Sequence, residues 1–533
     1  MGRGMKLRRA VWGFIAVSAI LVLYRGSDVA AAYGARAVQP NVVLVQVDDL
    51  SLKVMRSTIR QRGKFVPVMP KTKKLIGDKG TSFTRFYANS PICAPSRASM
   101  LSGLSTHNHG MRINAFPYGY NAWQGTPRES SNLATWLDGA GYRTSHIGKF
   151  MNGYTADSPI PPGWDNWITS VNNVGAPYYA HNLNVNGEII GPIGAWPDPD
   201  PRDCLQRIPP AAGACTHAND VHTAYAAKEI RDASDSGEPF FLQLDLNAPH
   251  DDGRRKLGPE PPTRYRHLVS RVRANLDMDD RVGNGNKPYF VRDLPKMTPE
   301  IRSAMRIRFK NEVATMRAVD DSIGRIVSTL RSTGELSNTY VAFFSDNGFF
   351  QGEHRIAYGK FLPHEPSTRQ PLVVRGPGIP AGSKTPVLAS TVDIAPTVMS
   401  WVGGKPASRV DGGSVKRFAE KPELRSDRVA LLEGFNGRGN DYPGPFFDGL
   451  GNSDPNQALV LNYTGFVAGR WKYIRYYYGD EELYDLKRDP SERWNLARSS
   501  DSNRVLNWSR RLSSRLESCS GASCKVEVAS PQR

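Results

Sequence analysis

Asp48 and Asp49 stand side by side at the end of the apolar run Asn41-Val-Val-Leu-Val-Gln-Val47. Asp346 and Asn347 occupy the same kind of place after Tyr340-Val-Ala-Phe-Phe344 and Ser345. Three carboxylates and an amide converging there make a hard oxygen cage, suited to Ca2+ or Mg2+. Without a thiolate or imidazole cluster, zinc is the weaker reading. Arg97, Lys149 (in Ile147-Gly-Lys149) and Lys360 (in Tyr358-Gly-Lys360) are cations that could gather on the oxygens of a sulfate or phosphate ester. A bound metal would withdraw charge from the central atom of that ester. His250, in Asn247-Ala-Pro-His250 after a third apolar run, could carry a proton. Cys93 opens Cys93-Ala-Pro-Ser-Arg97, a Cys-x-Pro-x-Arg pattern. A motif of five residues has little specificity alone. Taken singly, Lys149 and Lys360 also read as solvated surface charges and His250 as a structural histidine.

These residues need strands to bring them together. In open α/β sheets, ligands bind at the carboxyl ends of the strands. Continuous apolar runs at Asn41–Val47, Pro239–Leu246, Tyr340–Phe344 and Pro371–Arg375 have the character of buried strands. Between them, Ser131–Gly141, Asp220–Ser234 and Pro299–Gly334 carry apolar residues at helical spacing. The alternation predicts an α/β fold with a large β-sheet sandwiched by helices. Gly253–Lys296 is rich in Arg, Pro and Gly without a period and reads as a long surface insertion. Beyond about residue 405 the texture changes. Trp471–Tyr478 alternates like an antiparallel strand, Glu482–Leu486 reads as another, and Arg504–Glu517 as a helix. The expected division is an N-terminal segment over 1–37, a catalytic domain over 38–405 and a smaller C-terminal α+β subdomain over 406–533.

The N-terminal segment has Arg3, Lys6, Arg8 and Arg9, then an apolar stretch from Ala10 to Leu23, then small residues at Ala30–Ala32 and Ala35–Ala37. That is the layout of a secretory signal peptide, and the apolar stretch is short for a spanning helix. An uncleaved membrane anchor is the alternative. The expected location is therefore exported, with the membrane a partner only through that segment. A net charge of +18 would steer anionic substrates. The absence of a long basic block or an aromatic-basic repeat argues against nucleic acid. Of five cysteines, Cys204 and Cys215, and Cys519 and Cys524, are close in sequence and could form two local disulfides in an exported chain. Cys93 is then left free.

The order of these segments resembles the type I sulfatases of the alkaline phosphatase superfamily. Asp48-Asp49, Cys93–Arg97 with Ser102-Gly-Leu104, Gly148-Lys149, Ala248-Pro-His250, Ser345–Gly348, Gly352-Glu-His354, Gly359-Lys360, Arg375-Gly-Pro-Gly378 and Glu482–Leu486 with Asp489-Pro490 follow one another as in that family. Gly148–Tyr154 and Lys287–Arg292 are most similar to the glucosamine-6-sulfatase-like branch. The resemblance implies an alkaline-phosphatase-like mixed sheet. It also implies that Cys93 is oxidised to formylglycine (3-oxoalanine) by a formylglycine-generating enzyme. One calcium ion, with Mg2+ the lesser candidate, would sit on Asp48, Asp49, Asp346, Asn347 and the modified residue 93. Arg97 would stabilise that residue, and Lys149 and Lys360 would bind the sulfate. One hydroxyl of the hydrated aldehyde would attack sulfur, and His250 would help the other expel sulfate.

The implied substrate is a sulfated small molecule or polysaccharide, amino sugars included. The chain departs from the family at Met151, where a histidine is common, with Asn152 next to it. It departs again at Pro363-His364-Glu365, where an aromatic-acidic pair is commoner. His107 and His109 read as structural. A phosphodiesterase or phosphonate monoester hydrolase of the same superfamily is the rival activity. A non-catalytic secreted anion-binding protein is the rival from another class.

Overall fold

The computed structural model describes residues 39–171, 177–193, 217–251, 257–276, 278, 286–435 and 462–531. The basic and apolar N-terminal segment, Cys204 and Cys215 lie outside the described residues. In chain order the strands are β1 (Asn41–Asp48), β2 (Thr58–Gln61), β3 (Lys64–Pro67), β4 (Thr81–Tyr87), β5 (Arg143–Gly148), β6 (Asn166–Ser170), β7 (His181–Val185), β8 (Glu188–Ile193), β9 (Phe240–Pro249), β10 (Thr339–Ser345), β11 (Arg369–Arg375), β12 (Ser383–Ser390), β13 (Val429–Gly434), β14 (Tyr463–Ala468), β15 (Trp471–Tyr476) and β16 (Glu481–Asp485). Ten of them form one sheet in the order β12-β4-β11-β10-β1-β9-β5-β6-β7-β8. The sheet is mixed: β10, β1, β9, β5 and β6 run parallel, whereas β11 is antiparallel to both β10 and β4. The apolar run Pro371–Arg375 thus lies in an antiparallel strand. An apolar run reports burial on both faces, which either direction satisfies.

Strand alternation sends β1 into two cores. Val43, Val45 and Val47 share one with Val319, Ile323 and Ile326 of the helix Pro299–Ser332. Val42 and Leu44 share the other with Ala94 and Ala98 of the helix Cys93–Ser102. Each fully buried Val or Leu contributes about 1.5–3 kcal/mol. The long helix starts at Thr298, whose hydroxyl accepts from the Ile301 N–H at 3.3 Å, with Pro299 next. Proline at that position gives up an N–H that would have no partner anyway.

β13–β16 form a separate four-stranded antiparallel sheet. The helix Asn503–Glu517 covers one face through Val505, Leu506, Leu512 and Leu516, near the disulfide Cys519–Cys524. The other face brings Tyr463, Tyr476 and Tyr484 against Tyr87, Phe350 and Leu362. The Gly253–Lys296 stretch is not wholly surface. Its described part holds the short helices Thr263–Arg266 and Tyr289–Arg292, and Lys287 is 1% exposed because Glu482 and Tyr484 draw it inward. Among the described residues, no helix is long and apolar enough to cross a membrane.

Candidate active site

Register builds the site. β1 pairs Val47 with Ser345 on one side and Asp48 with Pro249 on the other, and β9 pairs Asp245 with Gly148. Four parallel strands therefore end together, and Asp48, Asp346, His250 and Lys149 lie at or just beyond those ends. Gly148 takes φ 113, and a Cβ there would strike the Asp245 carbonyl, so only glycine lets β5 turn at this point. Asp49 sits at φ 66, a left-handed conformation that short polar side chains tolerate best.

Cys93 is the first residue of its helix and is fully buried. Its Sγ donates toward Asp48 Oδ1 at 3.3 Å and receives Lys360 Nζ at 2.8 Å and Lys149 Nζ at 3.7 Å. Lys149 also pairs with Asp48, and Lys360 with Asp49. Arg97, one turn along the helix, donates Nε to Asp346 Oδ2 at 3.0 Å and Nη1 to the Lys149 carbonyl at 2.7 Å. His250 places Nε2 3.7 Å from Asp49 Oδ2, while Nδ1 lies 2.6 Å from the Asp251 carbonyl. That second contact fixes the N–H on Nδ1 in the neutral ring and leaves Nε2 facing the site.

The electrostatics follow from burial. Burial and then Asp48 push the Cys93 thiol up to about 12, against Lys149 and Lys360. Burial opposes the charge of Asp48, but Lys149, His250, Lys360 and Arg97 outweigh it and hold its carboxyl well below the usual range. Burial, then the Asp48 charge, push Asp346 up to about 6. Two neighbouring acids with opposed shifts are what like charges in one dry site produce.

Asp48, Asp49 and Asp346 each offer an oxygen within 4.8 Å of the others. Asn347 Nδ2 donates to Asp49 Oδ1 at 2.6 Å, which leaves its Oδ1 buried with no partner among the described residues. A buried acceptor without a donor is costly, and a cation would satisfy it. The donor set is all oxygen, which fits a hard divalent ion.

The structure brings all nine residues named from the sequence into this cluster. It also reveals a layer that sequence reasoning missed. Asp245 Oδ2 lies 3.4 Å from Arg97 Nη1 and accepts from Gln243 Nε2 at 2.7 Å. It lies 3.1 Å from His146 Nε2, whose Nδ1 meets Thr169 Oγ1 at 2.7 Å. A signal existed: Gln243 and Asp245 alternate inside an otherwise apolar run, and polar side chains facing one way from a buried strand need partners. Asn114 Oδ1 accepts from the Ala94 N–H at 2.9 Å and pins the start of the helix.

Met151 is buried in the core, and Asn152 Oδ1 has no hydrogen-bond partner among the described residues. His364 is fully buried with Nε2 3.1 Å from Glu482 Oε2, so it faces the C-terminal sheet. His107 pairs with Glu433, and His109 with Ser99 Oγ at 3.0 Å, as structural histidines do.

A family profile described as Sulfatase matches residues 40–404. The chain is 30% identical over 389 residues to the extracellular sulfatase SULF-1 homolog of Drosophila melanogaster, covering 72% of this chain and 31% of the fly protein. It spans about half of a Caenorhabditis elegans counterpart, at 51%. It is 28% identical over 524 residues to the N-acetylglucosamine-6-sulfatase of Capra hircus, covering 93% of this chain and 86% of the goat protein. A solved structure in complex with its substrate D-glucosamine-2-N,6-O-disulfate shares the fold, with TM-score 0.68 and 22% identity over 90% of this chain and 97% of that one. With the profile matching residues 40–404 of 533, the chain belongs to the sulfatase family.

Proposed function

We propose that this chain is an exported sulfuric ester hydrolase that uses a calcium ion and a formylglycine derived from Cys93. One observation carries the reading. Two lysine ammonium groups and the Asp48 carboxylate converge on the single side chain of residue 93, at the start of a helix. A nucleophile set at a helix N-terminus among cations suits an anionic ester.

Asp48, Asp49, Asp346 and the orphaned Asn347 Oδ1 would hold the calcium, which would supply Lewis-acid polarisation of the sulfate oxygens. A hydrated formylglycine would supply the attacking oxygen. Lys149 and Lys360 bind the remaining sulfate oxygens and offset charge on the leaving alcohol. Arg97, gripped by Asp346 and Asp245, keeps the helix and residue 93 in register with that cage. His250 holds Nε2 toward the site and takes the proton of the second hydroxyl of residue 93 as that hydroxyl expels sulfate and restores the aldehyde. The buried lysines and arginine cost nothing to reorganise as charge develops.

The substrate class follows from relatives. The goat relative's name points to 6-sulfated N-acetylglucosamine, and the substrate bound in the solved neighbour is a sulfated glucosamine, so a sulfated amino sugar or its polymer is the proposed substrate. Export and a maturing formylglycine-generating enzyme belong to the same proposal, with the extracellular name of the fly relative in support. So does the division at residue 405, supported by a C-terminal sheet that begins at Val429. The test is mass spectrometry of the tryptic peptide Phe86–Arg97 from protein that turns over an aryl sulfate. The aldehyde or its hydrate is expected, and an unmodified thiol in fully active protein would overturn the mechanism. Preference for a phosphate diester in a parallel assay would overturn the sulfatase reading itself.

A further inference from the structure

Two segments that follow the strand ends of the site, one after Asp49 and one after His250, meet each other again. The chain after Asp49 makes the helical turn Leu52–Met55 and then the hairpin β2–β3. Its two-residue turn is Arg62 at φ 48 and Gly63 at φ 78, both left-handed, as the tightest hairpins require. The chain after His250 returns as the turn Val269–Arg271, and Val272 bridges to Ile59 of the hairpin. Ile59 and Val272 are buried, so alternation turns their neighbours Arg60, Arg271 and Arg273 outward, where all three are exposed. With Arg62 they line a cleft of about 580 Å3 that also includes Phe65, 51% exposed. Lys64 lies beside it, opposite Gln61 in the hairpin.

No carboxylate pairs with any of these four arginines among the described residues, and Arg273 reaches only Asn275 Oδ1, at 3.2 Å. Elsewhere the chain pairs its arginines readily, as with Arg264 and Asp220 at 2.6 Å. Four unpaired guanidinium groups around one cleft repel one another and present forks that match a tetrahedral oxyanion. An exposed aromatic face next to them suits the C–H face of a sugar ring.

Resting on the sulfate-ester reading above, we infer that this cleft is a second binding site for the sulfate groups of a polymeric sulfated glycan, outside the Cys93 site. Both walls of the cleft belong to segments that follow the strand ends carrying Asp49 and His250. The arginines touch no reacting atom. Their effect is on the binding of polymer, and they leave a small aryl sulfate alone.

The test compares the full chain with a variant carrying Arg60→Ser, Arg62→Asn, Arg271→Ser and Arg273→Ser. Asparagine at position 62 tolerates the left-handed turn. The probe is heparin, measured by surface plasmon resonance at fixed salt. Removing four exposed guanidinium–sulfate pairs at once should weaken binding about tenfold. The kcat/KM for an aryl sulfate should stay unchanged. Unaltered heparin affinity would overturn the inference. So would wild-type binding to polyglutamate or to anionic phospholipid vesicles as tight as to heparin, since that would show a general anion surface. If the fourfold variant does not fold, Arg62→Asn alone, at the exposed tip, should weaken heparin binding about twofold, and no change would count against the cleft. Heparin binding needs no turnover. Absence of any aryl sulfate hydrolysis would therefore sink the activity reading while the cleft is still decided by affinity.

Discussion

Lys360 Nζ lies 2.8 Å from Cys93 Sγ and pairs at the same time with Asp49. One ammonium group thus touches both the nucleophile position and the oxygen cage. Burial opposes the Lys360 charge, but Asp49, Cys93 and Asp48 outweigh it and raise its pKa well above the ordinary value, so it stays charged. Lys360→Met should therefore cost kcat on the order of a hundredfold or more, as losing a preorganised charge at a reacting oxyanion does. Steady-state kinetics on an aryl sulfate would check it. A loss confined to KM would mean that Lys360 binds ground state and transition state alike.

The cage should respond to metal removal. A chelator is expected to abolish activity and to lower Tm, with Ca2+ restoring both better than Mg2+. At a concentration a hundred times Kd, a bound ion adds about 2.7 kcal/mol of stability. Asp346→Asn keeps the shape of the side chain but removes one ligand charge, so calcium should no longer raise its Tm. Full activity in stripped protein would contradict the cage.

The layer behind Arg97 gives a third expectation. Asp245 is within reach of Arg97, His146 and Gln243 at once. Asp245→Asn leaves the catalytic side chains in place but removes one of three carboxylates around the guanidinium. We expect kcat to fall about tenfold with KM little changed, because Arg97 positions residue 93 instead of contacting substrate. A variant with wild-type kinetics would reduce Asp245 to packing.

The mixed sheet, the small C-terminal sheet and the family are the ones the sequence leads to, and the reason is physical. An apolar run followed at once by Asp48-Asp49 or Asp346-Asn347 announces a strand end with polar work to do. The second layer was harder. His146, Gln243 and Asp245 come from two strands, and only register makes them neighbours. The direction of β11 is invisible because burial on two faces looks alike in parallel and antiparallel strands. The inward course of Lys287 depends on Glu482, about two hundred residues away, which no local pattern encodes.

His107 sets a pH expectation away from the metal site. Its Nδ1 lies 2.6 Å from Glu433 Oε1, and Nε2 donates to the Cys519 carbonyl at 2.8 Å. Burial opposes the imidazolium, but the hydrogen bond and field of Glu433 outweigh it and raise the pKa to about 9 from an ordinary 6.5. A raised folded-state value means that the stabilisation is complete below pH 6.5 and fades as pH climbs toward 9. Thermal melts should therefore show Tm declining across that window, and less steeply in His107→Gln. Parallel profiles for both proteins would rule the pair out as the cause.

Lys472 offers the sharpest stability test. Its ammonium is fully buried, 2.9 Å from Glu492 Oε1 and 3.2 Å from Glu365 Oε1. Burial opposes the Glu492 charge, yet Lys472, His354 and His364 together hold its carboxyl far below the usual range. Glu492 also accepts the Glu365 N–H at 2.7 Å, so this carboxylate ties the C-terminal sheet to the chain just beyond Lys360. Lys472→Met would leave two buried acids with one cation fewer. Breaking a buried pair on one side costs about 3–5 kcal/mol, whereas removing both charges costs much less. Denaturation should therefore find Lys472→Met strongly destabilised and Lys472→Met with Glu492→Gln partly recovered. Equal losses in the two variants would mean that the methylenes of Lys472, and not its charge, hold the C-terminal sheet to the chain around Glu365.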